Sequence, residues 1–116
     1  MKLSAGQIVL VDWRDAMPKE ANKRRPAVVV EDSELFDPAY PNVVLVPLAD
    51  APELAILDLS TRIEPDALNG CTKPCRALAH NVTATSKRRV TPTSARITAA
   101  QLGDIRRLVG VTIGLG

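Results

Sequence analysis

A basic tripeptide directly before an apolar segment is the part of this sequence best suited to chemistry. Lys23, Arg24 and Arg25 are followed by Pro26 and by the apolar residues 27–30. Proline fixes its own backbone, and a buried strand would hold the preceding residue rigid. Arg25 would then present a fixed, permanently charged fork to a phosphate group. The alternative interpretation is a solvated run of charges at the start of a strand.

The other candidate residues for chemistry are few. The sequence contains no Gly-rich phosphate loop, no dinucleotide fingerprint, no zinc-protease motif and no nucleophile elbow. Its single histidine, His80, could carry a proton at neutral pH or serve as a hydrogen-bonded structural residue. Cys71 and Cys75 cannot complete a four-ligand zinc site with one histidine. We therefore expect two free thiols, no metal site and no cofactor.

The composition predicts one small domain spanning residues 1–116. The chain is 46% hydrophobic and 24% charged, which suits a single packed core. Aromatic residues make up only 3%, which disfavours modules that bind single strands by stacking bases on rings. The longest apolar stretches are far shorter than a membrane span, and the first apolar run is too short for a signal peptide. A cytoplasmic protein with no membrane contact is the expectation.

Charge is distributed unevenly along the chain. Residues 1–66 contain 7 Lys or Arg and 12 Asp or Glu, which gives a net charge of −5. Residues 67–116 contain 8 Lys or Arg and only one acidic residue, which gives a net charge of +7. A basic half predicts either an anionic partner or one solvated positive face.

Short apolar or alternating segments, separated by Pro-rich and charged loops, predict a small sheet. The expected strands are residues 7–13, 26–30, 43–48, 54–59, 76–85 and 90–97, with a one-turn helix near Pro65 and a basic turn at 87–89. Thr98 and Gln101 form a capping box, and the apolar stripe that follows predicts an amphipathic C-terminal helix packed on the sheet. The fold class is thus mainly β (α+β), a curled antiparallel sheet or barrel with a terminal helix.

The order of these segments resembles the MazF/PemK (Kid) toxins of type II toxin–antitoxin modules. The resemblance rests on residues 6–12 (GQIVLVD), a loop containing Glu20, residues 24–30 (RRPAVVV) and residues 43–47. It is strongest over residues 6–48, and the second half matches in element order and spacing. It implies an SH3-like barrel of five to seven short antiparallel strands and a homodimer. It also implies a sequence-specific, metal-independent endoribonuclease that acts on single-stranded RNA and is inhibited by a cognate antitoxin.

The resemblance also implies roles for individual residues. Arg25 matches the family arginine that acts on the scissile phosphate, where it would stabilise developing negative charge. Glu20 matches a family carboxylate that orients the arginine or accepts the 2′ proton, with a plain solvated acid as the alternative. His80 is the second predicted proton carrier. The predicted RNA-binding residues are Lys23, Arg24, Asp50, Arg76, Asn81, Thr83, Lys87 and Arg88, with Lys73 and Arg89 as further phosphate contacts.

Two departures from the family pattern keep other functions open. Ala49 occupies the position of a usual Thr or Ser, and His80 and Asn81 occupy positions where many relatives have an acid and Gln. A gyrase-binding toxin of the CcdB type is one alternative, although such toxins act through a C-terminal tryptophan and this chain ends in residues 112–116 (TIGLG). A catalytically weak paralogue that only binds antitoxin is the other.

Overall fold

The computed structural model describes residues 2–13 and 24–116, and within these ranges it contains seven β-strands and one α-helix. All strand pairs are antiparallel. The elements are β1 (Gln7–Asp12), β2 (Arg24–Val29), β3 (Asn42–Ala49), β4 (Ser60–Ile63), β5 (Cys75–Leu78), β6 (Thr83–Ser86), β7 (Val90–Arg96) and α1 (Ala99–Thr112).

The strands form one open, barrel-like sheet with β3 near its centre. Their order is β4-β5-β3-β2-β1-β7, and β6 pairs with the first half of β3. The central strand therefore bonds to β2 along one edge, and to β5 and β6 along the other. This architecture confirms the predicted mainly β fold with a terminal helix.

Two hydrophobic clusters explain the uniformly apolar strand after Pro26. Val28 packs into one cluster with Ile8, whereas its neighbours Ala27 and Val29 pack into the other. Successive side chains of a strand point to opposite faces, so a strand covered on both sides contains apolar residues throughout. Residues 27–29 are completely buried, which fixes the backbone that follows Arg25.

The strand predicted over residues 76–85 is wrong in one respect, because a three-residue 3₁₀ turn, Ala79–Asn81, divides it into β5 and β6. Leu48 lies opposite Ala77, but Leu45 lies opposite Thr83. The pairing register against β3 thus shifts by the length of the turn. An alternating sequence cannot reveal such a shift, since both halves keep a period of two.

The strand predicted over residues 54–59 is also wrong. Two 3₁₀ turns, Pro52–Leu54 and Leu57–Leu59, occupy this segment, and the next strand starts only at Ser60. The apolar side chains of this segment are not buried: Leu57 is 70% exposed. The helix expected near Pro65 is replaced by a turn at residues 67–69.

The C-terminal helix confirms its predicted start and packing face. The Thr98 hydroxyl accepts a hydrogen bond from the Gln101 amide at 3.1 Å, and the Gln101 side chain accepts one from the Thr98 amide at 2.8 Å. Ile105 and Leu108 are buried against the sheet. No helix among residues 2–13 and 24–116 has the length and apolar character needed to cross a bilayer.

Candidate functional site

A groove of about 590 Å³ lies where the start of β2, the end of β3 and the loop before β5 meet. Apolar side chains of Ile8, Leu10 and Leu48 form part of its wall, and charged groups stand among them. The polar and sulfur-containing residues that line it are Arg24, Arg25, Asp50, Asn69, Cys71, Thr72, Lys73, Cys75 and Thr93. A cavity with apolar walls and a few convergent polar groups is the usual form of a binding site.

Two arginines enter the groove from the first residues of β2. Arg24 lies opposite Asp12 and Arg25 opposite Val11, so both backbones are fixed by pairing with β1. The Arg24 guanidinium also donates a hydrogen bond to the hydroxyl of Thr91 in β7. Arg25 is half-buried, whereas Arg24 is exposed. The predicted cationic fork at the start of a rigid strand therefore lines a concave surface.

An ion pair joins two further elements across this groove. The Lys73 ammonium lies 2.6 Å from a carboxylate oxygen of Asp50, which directly follows β3. The hydrogen bond and charge of Lys73, with a smaller contribution from the charge of Arg25, hold the pKa of Asp50 below its usual value. Asp50 in turn raises the pKa of Lys73. Both groups are well exposed, so the pair orients charge more than it stabilises the fold.

The loop before β5 is shaped by one buried amide. The Asn69 side chain is 3% exposed; its oxygen accepts from the amides of Asp66 and Cys71, and its nitrogen donates to the Glu64 carbonyl at 2.8 Å. Gly70 follows with a φ of 64°, a left-handed conformation that favours glycine. These contacts set the path of residues 71–75 along the groove.

Both cysteines face this groove as free thiols. They pack against the same hydrophobic cluster and make side-chain contact with one another. Burial, followed by the charge and hydrogen bond of Cys71, raises the pKa of Cys75 to about 12. Among the described residues, no group of three or more His, Cys, Asp or Glu side chains is placed to hold a metal ion.

A smaller cavity of about 190 Å³ adjoins the groove at Asp50. It contains Arg76 and Arg62, which lie opposite one another on β5 and β4. Arg76 donates a hydrogen bond to the Ser60 hydroxyl at 3.0 Å, and Arg62 pairs with Glu64. Arg76 was predicted from sequence; Arg62 was missed, because its proximity to Arg76 arises from strand pairing and not from a motif.

His80 lies outside both cavities. It occupies the 3₁₀ turn between β5 and β6, which contacts α1. Its Nδ1 atom is buried and has no hydrogen-bond partner among the described residues. The structure does not bring His80 together with Arg25, so its role as a proton carrier stays a prediction.

The remaining predicted RNA-binding residues are distributed over other parts of the chain. Asn81 ends the 3₁₀ turn, Thr83 begins β6, and Lys87 and Arg88 form the predicted basic turn. None of them lines the groove as the structure describes it. Glu20 and Lys23 fall outside the described residues, so their predicted roles have no structural description.

Ala49 has no hydroxyl, but two threonines lie in the same groove. Thr72 and Thr93 both line the groove, and the Thr93 hydroxyl donates to the Ile8 carbonyl at 2.5 Å. Neither residue was predicted from the sequence, and neither were the Asp50–Lys73 pair and the contact between the thiols. Asp50 and Lys73 are far apart in sequence, and only the pairing of β3 with β5 brings them together.

A family model described as PemK-like, MazF-like toxin of type II toxin–antitoxin system matches residues 4–113. This match covers nearly the whole chain, including β2 and the complete groove. No curated protein sequence matches the chain.

Several solved structures share the fold at low sequence identity. Toxin MazF-mt6 of Mycobacterium tuberculosis aligns with 95% of this chain and 98% of its own, with a TM-score of 0.74 and 17% identity. MazF from Deinococcus radiodurans aligns with 98% of both chains, with a TM-score of 0.75 and 20% identity. An endoribonuclease in complex with its cognate antitoxin, from a Mycobacterial species, covers 98% of this chain and 97% of its own, with a TM-score of 0.76 and 17% identity.

Proposed function

Because the chain belongs to the PemK-like, MazF-like toxin family of type II toxin–antitoxin systems, we propose that it is a sequence-specific, metal-independent endoribonuclease. Its substrate is single-stranded RNA, which it binds in the groove at Arg25. The observation that supports this proposal most is the half-buried guanidinium of Arg25 at the edge of a concave surface, on a strand whose backbone is fixed on both sides.

The chemistry that suits this groove is attack of a ribose 2′ oxygen on its own 3′ phosphate. Negative charge builds on the phosphate oxygens in the transition state, and the 5′ oxygen leaves with a 2′,3′-cyclic phosphate remaining. A guanidinium stabilises this charge through two parallel hydrogen bonds and stays protonated throughout. We assign this role to Arg25. One base and one acid are also required. The sequence predicted Glu20 and His80 for these steps, and the position of His80 outside the groove argues against a direct role for His80.

The charges around Arg25 suit a polynucleotide backbone. Arg24 and Lys73 stand beside it in the groove, and Arg76 continues the positive surface into the adjoining cavity. Asp50, kept ionised by its neighbours, accepts hydrogen bonds and could read the amino groups of bases. Asn81, Thr83, Lys87 and Arg88 would contact only RNA that extends beyond the groove.

Two protein partners complete the proposal. Solved structures with this fold include complexes of MazF with MazE from Deinococcus radiodurans, which supports a cognate antitoxin for this chain.

A homodimer is implied by the family. It is supported by apolar side chains on the 52–59 segment, where Leu54, Ile56 and Leu57 are 51%, 49% and 70% exposed, since exposed apolar patches commonly mark interfaces. Light scattering after size-exclusion chromatography tests the dimer.

The decisive experiment incubates the purified chain with a long single-stranded RNA in EDTA. We expect discrete fragments whose upstream products end in a 2′,3′-cyclic phosphate. A second substrate with a 2′-deoxyribose only at a mapped cleavage site removes the attacking oxygen, so that site should resist cleavage while other sites are cut. The same sequence in a duplex should also resist.

The alternatives predict different results. Intact RNA together with inhibition of DNA supercoiling by gyrase would favour the CcdB-type function. Intact RNA, unaffected gyrase and retained antitoxin binding would identify a catalytically weak paralogue. Cleavage of the deoxy-substituted site would contradict the proposed 2′-oxygen mechanism.

A further inference from the structure

The two cysteines enclose the part of the groove wall that carries Lys73. Cys71 and Cys75 are separated by Thr72, Lys73 and Pro74, and both thiols line the groove. Their side chains also pack on the same hydrophobic cluster and contact each other. Two neighbouring thiols at the ends of a short loop are candidates for a disulfide between them.

We propose that Cys71 and Cys75 form an oxidation site at which a low-molecular-weight disulfide converts the two thiols into an intramolecular disulfide, and that this modification weakens binding of single-stranded RNA in the groove. The oxidation site stands on the thiols alone. Its effect on RNA rests on the function proposed above.

The reaction is a pair of thiol–disulfide exchanges. The Cys71 sulfur, as thiolate, attacks one sulfur of the small disulfide; that S–S bond breaks, and one small thiol leaves after taking up a proton. Cys75 then gives its proton to solvent, and its sulfur attacks the Cys71 sulfur and releases the second small thiol. Two electrons pass from the protein sulfurs to the small disulfide, which becomes two thiols.

The surroundings of the thiols set the order of these steps. The raised pKa of Cys75, about 12, keeps this thiol protonated at neutral pH, and a protonated thiol does not attack. Cys71 therefore reacts first. Once Cys71 carries the small thiol, the charge of Cys71 no longer adds to the effect of burial on Cys75, and the neighbouring Cys75 sulfur attacks when its proton passes to solvent.

The disulfide affects the groove through the loop between the cysteines. An S–S bond of about 2.05 Å is much shorter than a contact between two thiols, so the loop must tighten. Pro74 restricts the backbone next to Cys75, which leaves Thr72 and Lys73 to adapt. A tightened loop keeps Lys73 on Asp50 and away from an RNA phosphate. We expect RNA affinity to fall about tenfold, the size of one charge-assisted hydrogen bond.

The first experiment equilibrates the full chain in buffers of reduced and oxidised glutathione, followed by alkylation and intact mass measurement. We expect both thiols to disappear together, with a mass lower by the two hydrogens that leave and with no attached glutathione. Cys75→Ser should stop at a stable glutathione adduct on Cys71. Cys71→Ser should keep Cys75 as a free thiol. In the wild-type chain, persistent thiols or a persistent adduct at the oxidised end of the series would overturn the oxidation site.

The second experiment measures binding of a fluorescent single-stranded RNA with 2′-O-methyl riboses, which cannot be cleaved by the proposed chemistry. We expect the wild-type chain to bind RNA about tenfold more weakly after oxidation. The RNA affinity of the Cys71→Ser/Cys75→Ser double variant should be the same in reducing and oxidising buffer. Oxidation should weaken RNA binding by Lys73→Ala less than it weakens binding by the wild-type chain. Equal affinity of both wild-type forms would overturn the effect on the groove. Disulfide formation with no RNA binding in either form would support the oxidation site and contradict the proposed function.

Discussion

The sequence Lys-Arg-Arg occurs twice, at residues 23–25 and 87–89, and each copy leads into a strand that pairs with β1. Arg25 and Val90 even lie opposite the same residue, Val11, on its two sides. The first run ends at the groove, beside Asp50 and Lys73. The second forms a 3₁₀ turn in which the Ser86 hydroxyl accepts from the Arg88 amide, and Lys87 donates to the Pro38 carbonyl. The same local sequence therefore has different surroundings, and these decide which cations can act together.

A wider division of the molecule follows from this comparison. On the groove side, charged groups gather around an open concave surface. On the side of the basic turn and the helix, polar groups hold elements together: Arg106 donates to the Val30 and Glu31 carbonyls, and Arg96 to Ser4 and Ala5. Much of the positive charge in residues 67–116 is therefore used to hold the fold and does not form one positive face. Substitutions on the groove side should impair activity, whereas those on the other side should change stability.

The largest expected effect comes from Arg25→Ala compared with Arg88→Ala. Loss of a group that stabilises transition-state charge lowers the rate by about 10²–10³-fold, so we expect this loss in the RNA cleavage rate of Arg25→Ala. Arg88→Ala removes an exposed cation from the second run and should stay within about threefold, the effect of one screened surface charge. Initial rates on one RNA substrate measure both.

Circular dichroism and thermal unfolding provide the control for this pair. Arg25 pairs with β1 through its backbone, so Arg25→Ala should keep the strand and fold normally. Full activity of Arg25→Ala would remove Arg25 from the mechanism. Equal losses in the two variants would mean that the two basic runs are not functionally different.

The sequence allowed prediction of the position of Arg25 at the start of a buried strand, but not of the residues that surround it in the groove. Arg25 could be placed because Pro26 and a uniformly apolar segment follow it, and these local features determine where β2 begins and how deeply it is buried. The Asp50–Lys73 pair, the contact between Cys71 and Cys75, and the adjoining Arg62 depend on pairing between strands that are distant in sequence. No local pattern encodes these contacts.

The fold was predictable to a similar extent, and its errors share one physical cause. The strand expected at 54–59 rested on apolar character alone, yet these side chains are exposed, so hydrophobicity did not imply burial there. The interruption at Ala79–Asn81 depends on where β3 exchanges one partner for another. Both features are decided by tertiary packing, whereas the capping box of α1 is local and was predicted correctly.

A smaller effect is expected from substitutions of His80, which lies on the helix side. A proton carrier contributes about 10²–10⁴-fold to the rate, and neither leucine nor glutamine can replace it in that role. From the position of His80 outside the groove we expect cleavage by His80→Leu and His80→Gln to stay within about threefold of wild type, a change of under about 1 kcal/mol.

The stability of the same two variants tests whether His80 has a structural role. Leucine removes the buried Nδ1 atom that has no partner among the described residues, and an unsatisfied buried polar atom costs about 1–3 kcal/mol. His80→Leu should therefore unfold at a higher urea concentration than His80→Gln. A hundredfold loss of cleavage in both variants, with unchanged stability, would instead place His80 in the mechanism and contradict the division of the molecule.

The smallest expected effect concerns the contact that joins α1 to β4. The hydroxyl of the buried Thr61 donates to the Asp104 carboxylate at 2.6 Å, and Arg107 donates to the other oxygen at 2.8 Å. The Thr61 hydrogen bond first, and then Arg107, hold the pKa of Asp104 below its ordinary value of 3.8. A carboxyl whose pKa is lowered by folding stabilises the native state above its unfolded pKa, and this contribution is lost as the pH falls through the folded pKa.

Thr61→Val keeps the shape of the side chain and removes the hydrogen bond. At pH 7 we expect the free energy of unfolding to fall by about 1 kcal/mol or less, because Asp104 is partly exposed and water screens the contact. The deficit should shrink as the pH falls from the unfolded pKa, near 4, through the lower folded pKa of Asp104, because protonation of the carboxylate removes the charge that the Thr61 hydrogen bond stabilises. Thr112→Val is the matched control, since its hydroxyl donates to the Leu108 carbonyl, which does not titrate in this range. Urea unfolding between pH 7 and pH 2 measures the free energy of unfolding of both variants. If the loss of stability in Thr61→Val did not change with pH, as expected for Thr112→Val, Asp104 would not link the helix to the sheet through its charge.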